Sequence, residues 1–275
     1  MALKEIYKLT KEFAWFLGFL LTDGSIIKPA YRSKGDETHI QFCIHIKDEE
    51  ALHKIKDILN TRAVVKTYPG YASPQAKLCI YDRKDIVSEY SNIKTQIPET
   101  ITGFERHFIR GLIDGDGCLY KRKNRNEFMI SFIDEYENIV DWVNQTISTT
   151  FNIPLKPIRY IKHDHIYELR YSSKEARLVA WWLYHGDTDH CSLQRKLDYY
   201  RHFVLEDLPF NDDDFELLYA IQASINEDSI IPNVNASKTL EWCHRLQNIL
   251  KTKCTPVCSN KGKTKYYYLH VIKST

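Results

Sequence analysis

The chain has no apolar run long enough to cross a bilayer. The longest candidate, Phe13 to Leu21, is about nine residues, against the roughly 20 that a spanning helix needs. No cleavable leader is expected, because Lys4, Glu5, Lys8, Lys11 and Glu12 interrupt the start. A paired-cysteine framework is also missing. The seven cysteines are odd in number and scattered, which fits reduced thiols. An intracellular protein is therefore expected, in cytoplasm, nucleoid or organelle, with no membrane partner. The chain runs from Met1 to Thr275 without the terminal Cys or Ser and the His-Asn pair of a protein-splicing element, so it is expected to be free-standing. Net charge is small, at +2, which is modest for a nucleic-acid binder.

Charge is present as a pattern rather than a total. Residues 206–216 carry six acids and no base, while 237–275 carry eight Lys or Arg against Glu241 alone. Such segregation permits local binding to a polyanion without requiring it. Hydrophobic content of 43% and charged content of 27% are ordinary for a globular chain. The length allows two compact units and some extra material.

One stretch occurs twice. The first copy reads Glu12-Phe-Ala-Trp-Phe-Leu-Gly-Phe-Leu-Leu-Thr-Asp-Gly24 and the second Phe108-Ile-Arg-Gly-Leu-Ile-Asp-Gly-Asp-Gly117. Gly18, Asp23 and Gly24 recur as Gly111, Asp116 and Gly117, each 93 positions on. A period this long signals two domain-sized copies. Each copy is an apolar run that stops at Asp-Gly, and a buried helix is the better reading. Gly18 with Thr22, and Gly111 with Gly115, put two small residues on one helix face, so the two helices could pack closely on each other. Gly24 and Gly117 are expected just past the helix ends, in left-handed conformation. Asp23 and Asp116 then sit where the helix macrodipole is already negative. Either copy alone would be an ordinary polar helix stop. Two matched copies point instead to converging carboxylates and free carbonyls, an all-oxygen site suited to Mg²⁺.

These stretches resemble the paired motifs of the LAGLIDADG homing endonucleases of the single-chain, two-motif type. The second, Ile109 to Gly117, departs from the motif at three of nine positions; the first, Phe16 to Gly24, is looser and has Leu21 where the motif's first aspartate would stand. The resemblance covers roughly residues 10–205. It implies an α+β fold: two αββαββα units related by a pseudo-twofold axis, motif helices paired at their interface, and saddle-shaped antiparallel sheets. It also implies a monomer that cuts one phosphodiester on each strand of a long, asymmetric double-stranded DNA target, leaving short 3′ overhangs. Mg²⁺ is the expected cofactor, with Mn²⁺ or Ca²⁺ able to substitute in binding. Asp23 and Asp116 would hold the metals, assisted by the carbonyls of Thr22 and Gly115. Relatives often carry a lysine shortly before the second motif, which nominates Lys94. Its counterpart falls in Leu193-Gln-Arg-Lys196, where Lys196 is preferred slightly over Arg195. Gln41 is nominated to position water. Relatives on this fold also assist splicing of intron RNA, and others bind DNA without cutting; both stand as alternatives.

Taken in order, residues 1–103 form the first repeat, 104–205 the second and 206–275 an extension. Ser25 to Glu37 reads as a basic loop with Lys28, Tyr31, Arg32 and Lys34. Thr38 to Lys47 alternates strictly, with Ile40, Phe42, Ile44 and Ile46 on one side and His39, Gln41, Cys43, His45 and Lys47 on the other. Asp48 to Leu59 reads as a helix, and Ala63–Tyr68 and Lys77–Asp82 as strands. In the second repeat Cys118 to Asn126 is a loop carrying Lys121, Arg122, Lys123 and Arg125. Glu127–Asp134 is a strand, 135–150 a helix, Lys156–Lys162 with Ile166–Tyr171 a hairpin, and 174–184 a core helix. If the polar sheet faces lie in a major groove, their side chains can reach base edges. The candidates for DNA contact are then Lys28, Tyr31, Arg32, Lys34, His39, Gln41, His45, Lys66, Lys77, Lys121, Arg122, Lys123, Arg125, Arg159, Lys162 and Arg170, with Lys261 and Lys263 in the extension.

The extension reads as helices over 212–225 and 237–250 and a hairpin of Thr255–Ser259 with Lys265–Ile272. It is either a winged-helix-like appendage or a decayed third copy aligned from Glu216, and in both cases a DNA contact is expected. Asp114 to Gly117 lacks the later oxygen ligands of a calcium loop. Cys254 and Cys258, with Cys243 and His270 near them, match no strong zinc spacing.

Overall fold

The structure, a computed structural model, describes residues 9–28, 37–70, 73–90, 92–122, 127–186, 189–205, 253–261 and 264–272. The chain divides into two compact units, one of residues 1–144 with 156–207 and one of 145–155 with 208–275.

Between Lys11 and Tyr200 one order of elements is repeated. Helix α1 (Lys11–Thr22) leads to strands β1 (Gly24–Ile27) and β2 (His39–His45), helix α2 (Glu49–Leu59), strands β3 (Lys66–Tyr68) and β4 (Gln75–Ile80), and helix α3 (Lys84–Glu89). The second round is α4 (Glu105–Asp116), β5 (Gly117–Arg122), β6 (Glu127–Asp134), α5 (Glu137–Phe151), β7 (Arg159–Ile161), β8 (Ile166–Ser172) and α6 (Ser173–Tyr184), closed by α7 (Gln194–Tyr200). Each round is αββαββα. The sheets run β1-β2-β4-β3 and β5-β6-β8-β7, antiparallel throughout.

Local chemistry accounts for these elements. Thr10 caps α1 by accepting from the Phe13 amide at 3.2 Å. Phe13 to Leu21 are buried without a break, the signature of a helix enclosed on all sides. The alternating strands put Ile40, Phe42, Ile44, Ala76, Leu78 and Ile80 inward in one sheet and Phe128, Ile130, Phe132, Leu169 and Tyr171 inward in the other. Phe16 and Phe19 reach Phe42, with ring centroids at 6.4 and 6.0 Å, which fixes α1 on the inner face of the first sheet.

Two sequence expectations change. Ser25 to Ile27 and Cys118 to Arg122, read as loop, are strand. A glycine followed by three or five residues leaves little alternation to see, yet pairing with β2 and β6 makes them edge strands. Ile46 leaves β2 for a 3₁₀ turn of Ile46–Asp48 that precedes α2. Within 208–275 the described residues form one hairpin, β9 (Lys253–Lys261) with β10 (Thr264–Ile272), in which Lys261 pairs with Thr264. The helices expected over 212–225 and 237–250 lie outside the described residues.

Candidate functional site

The close approach of α1 and α4 rests on glycine. A Cβ on Gly18 would overlap the Phe108 carbonyl oxygen and come within 2.9 Å of the Leu112 nitrogen. A Cβ on Gly111 would overlap the Trp15 oxygen and lie 2.8 Å from the Phe19 nitrogen. Gly115 faces Thr22 so closely that a Cβ would overlap its hydroxyl. The helices therefore touch backbone to backbone, and their C-terminal ends converge.

Gly24 and Gly117 do not play the part expected of them. Neither has positive φ, and Gly117 is extended at φ −92° and ψ 164°. They are glycines for want of space. Each strand leaves its helix so sharply that a Cβ on Gly24 would sit 2.8 Å from the Leu20 Cα, and one on Gly117 2.7 Å from the Ile113 Cα. The edge strand begins on the residue after the carboxylate.

Asp23 is half-buried and Asp116 exposed at the end of its helix. Loss of hydration raises both carboxyl groups. Asp23 is pushed up to about 6, first by desolvation and then by repulsion from Asp116, against relief from Lys196. Asp116 thus acts on Asp23 across the helix pair. Further carboxylates crowd the same region. Asp48 raises Asp23, Glu135 raises Asp116, and Asp134 is itself pushed up to about 6 by burial, with Asp116 and Glu135 adding to it. Asp134 takes the Tyr136 amide at 2.8 Å. Sequence reading missed Asp48, Asp134 and Glu135, although all three stand at the junction of a second strand and the following helix, a position shared by both repeats.

Cations reach this cluster across the repeats. Lys94 is exposed and acts electrostatically on Asp116 and Asp134, so the first repeat serves the second repeat's acid. Arg195, from the second repeat, lowers Asp23 and holds Asp48 at 2.7 Å. Lys196 is placed differently from Lys94. It is 3% exposed, and its amine donates to the carbonyls of Ile113, Asp114 and Gly117, the last two at 2.7 Å. All three N–H donors are committed to the end of α4. Burial lowers Lys196 to about 8, partly offset by Asp114.

Asp114 accounts for that placement. It is wholly buried and accepts from Trp15 Nε1 at 2.8 Å, the Tyr184 hydroxyl at 2.7 Å and the Leu193 amide at 2.8 Å. Desolvation raises it, with Lys196 the leading counterweight. Arg110, one turn earlier and also fully buried, donates to Leu183 O at 2.8 Å and to Cys191 O at 2.5 Å. Together they draw the segment before α7 against the motif helix.

Gln41 lies across from Ser25 in β1 and Cys79 in β4, two residues beyond Asp23 along the edge strand. The other nominated contacts fall into groups. Lys66 and Lys77 are directly opposite each other in β3 and β4. Arg159 and Arg170 flank Glu168, and Arg122 pairs with Glu127 at 3.4 Å. Lys28 and Lys162 are exposed, and Lys121 lies on β5. His39 and His45 have local work: His39 stacks on Tyr81 with centroids 4.4 Å apart, and His45 accepts the Lys47 amide at 3.1 Å. Tyr31, Arg32, Lys34, Lys123, Arg125 and Lys263 lie outside the described residues, and Lys261 is placed only as the end of β9.

The donor set suits a hard divalent cation. Two carboxylates converge at helix ends whose last carbonyls lack intrahelical partners, and the Gly115 carbonyl is not among the three taken by Lys196.

No protein-family profile matches the chain. A curated relative, the uncharacterised protein MJ1054 of Methanocaldococcus jannaschii, is 27% identical over 135 residues, which is 46% of this chain and 15% of that protein. Similar solved structures are LAGLIDADG proteins. The homing endonuclease I-DmoI in complex with DNA and Ca matches at 15% identity and a TM-score of 0.49, over 70% of this chain and 97% of that one. The N-terminal LAGLIDADG domain of DUF199/WhiA matches at 13% and 0.45, over 76% and 86%. The homing endonuclease I-GzeII in complex with its DNA target matches at 12% and 0.41, over 86% and 97%. At these scores the functional reading rests on the residues themselves.

Proposed function

We propose that this chain is a divalent-metal-dependent, site-specific endonuclease of double-stranded DNA that works as a monomer and cuts one phosphodiester on each strand. The observation that carries the reading is the pair Asp23 and Asp116, held at the converging ends of two helices in backbone contact, each beside carbonyl oxygens with no helical partner. A structural role alone does not account for two like charges kept together where helix dipoles oppose them.

Asp23 and Asp116 would hold the metal, with the carbonyls of Thr22 and Gly115 as neutral oxygens beside them. A bound Mg²⁺, or Mn²⁺ in its place, supplies Lewis-acid polarisation of the phosphate and a more acidic water. Gln41 orients the attacking water from the outer face of the first sheet. Lys94 offsets charge that develops on the phosphate near Asp116, and Arg195 does so beside Asp23. Lys196 acts at one remove, by fixing the end of α4 on which Asp116 stands. The polar sheet faces bind the duplex, and the inequality of the repeats makes the target asymmetric.

A library of duplex sites incubated with Mg²⁺ tests this. The wild type is expected to cut a sequence subset on both strands, and Asp23→Asn and Asp116→Asn to abolish cutting while still binding. Lys196 favours a second reading, a DNA-binding regulator without catalysis, because a cation expected at the phosphate is committed to the helix end. Tight, sequence-selective binding with no cleavage under any divalent ion would establish that reading. Binding of structured RNA in place of duplex DNA would establish the maturase alternative.

A further inference from the structure

The outer face of the second sheet carries a carboxylate that is almost hidden. Leu169 and Tyr171 of β8 point into the core, at 1% and 3% exposure, so Glu168 and Arg170 lie on the opposite face. Glu168 is nevertheless only 6% exposed. It stands across from Arg159 in β7 and two residues from Arg170 on its own strand. Its Oε1 meets the Arg170 guanidinium at 2.7 Å. Its Oε2 lies 4.0 Å from Arg159 and makes no hydrogen bond. The two arginine side chains are 68% and 42% exposed for Arg159 and Arg170.

Two consequences follow from this arrangement. A carboxylate that holds one nitrogen of a guanidinium restricts its plane and leaves the remaining N–H donors for a partner. The same negative charge makes the neighbourhood less welcoming to a phosphate than to a neutral acceptor. A rigid fork of donors beside a carboxylate matches the paired O6 and N7 acceptors of guanine in a major groove. The first sheet is built otherwise at the matching places. Strand register sets Lys77 where Glu168 stands, Lys66 where Arg159 stands and Cys79 where Arg170 stands. Like charges directly opposite each other are destabilising in a sheet. Two facing lysines without a carboxylate suit phosphate oxygens, which carry no sequence information.

Resting on the DNA-binding reading above, we infer that Arg170, oriented by Glu168, is a specificity-determining residue that reads a guanine in the half of the target under the second repeat. Lys66 and Lys77 contact backbone phosphate in the other half, without sequence preference.

The test is selection from a randomised duplex library without Mg²⁺, so that binding is read apart from cutting, followed by sequencing of the bound fraction. Wild type is expected to enrich one G·C pair strongly in one half-site. Arg170→Lys keeps the charge but loses the fork. It should lower discrimination at that position by about tenfold to a hundredfold and leave the other positions as they were. Glu168→Gln should relax the same position while raising affinity for unrelated sequences. Lys66→Ala with Lys77→Ala should weaken all sequences alike and make binding less salt-dependent. An unaltered profile for Arg170→Lys, or a uniform loss across sequences, overturns the inference. Wild-type binding with no enriched position overturns it as well and leaves the DNA-binding reading standing. Failure of the wild type to bind duplex DNA overturns both.

Discussion

The two repeats use the same backbone and fill it differently at two positions of the motif helix. Leu17 and Leu21 in the first repeat correspond, 93 positions on, to Arg110 and Asp114 in the second. All four are buried. In the first repeat the closing segment is met by apolar surface, with Tyr90 edge-on to Phe13 at 6.3 Å, and Lys94 stays exposed. In the second, Asp114 binds the Leu193 amide, Arg110 binds the Cys191 carbonyl, and Lys196 is pulled inside with its donors taken. Buried ions hold a segment in one register where leucines hold only a surface. On the proposed nuclease reading, the exposed cation beside the phosphate would be Lys94 on one side. On the other, Lys196 still acts on Asp23 from inside, and the exposed cation there would be its neighbour Arg195.

This contrast can be broken first where it is strongest. Lys196→Met should destabilise the protein by about 3–5 kcal/mol, because it leaves the Asp114 charge buried without its counterweight; chemical denaturation measures it. Converting the second repeat to the first, with Arg110→Leu and Asp114→Leu added to Lys196→Met, should recover most of that loss, since apolar replacements of a whole buried ion set are often neutral or stabilising. A triple variant no more stable than the single would mean that the ions do more than fix the segment.

Activity supplies the next comparison. Lys94→Ala should slow cleavage of the strand served by Asp116 by at least about a hundredfold and leave stability nearly untouched, whereas Lys196→Arg should keep nicking activity if the helix end is still capped. Nicked-product analysis separates the strands. Equal effects on both strands would show that the cations do not work in the crossed manner described above.

The smallest effect concerns Asp134, whose counterpart by strand register is Ile44. Its carboxyl is raised to about 6 by burial, so the folded state holds a proton that the unfolded chain has lost. Stability should fall as pH rises from about 4 to about 6 and the penalty should then stay constant. Asp134→Asn keeps the acceptor for the Tyr136 amide and removes the penalty. It should melt higher than the wild type above pH 6, and the two should converge below about pH 4. A difference that persists at low pH would assign the effect to packing.

The sequence made much of this visible, and for physical reasons. Gly18 and Gly111 could be read because close helix packing tolerates nothing else at a helical spacing, and Asp23 and Asp116 because they share the same offset. The strand Glu127–Asp134 was legible to the residue from its alternation. The edge strands β1 and β5 were not, because pairing rather than pattern makes them strands. Nor was the part played by Asp114, whose main-chain partner Leu193 is 79 residues away. Lys196 could be nominated from the family resemblance, but its burial follows from Asp114 and from nothing near it in the chain.

Gly24 and Gly117 leave no residue between the carboxylate and the first paired position of the sheet. Phe42 and Phe132 lie directly across from these glycines, so each acid is one peptide away from the ladder that would lie along the duplex. Helix end and sheet then behave as a single lever without slack. A duplex that flexed either sheet would move Asp23 or Asp116 by a comparable amount, so the fit of a distant base pair would be felt at the proposed metal ligands as a displacement. Sequence discrimination and catalysis would share one mechanical element, and a poorly fitting site would lose rate even where it still binds.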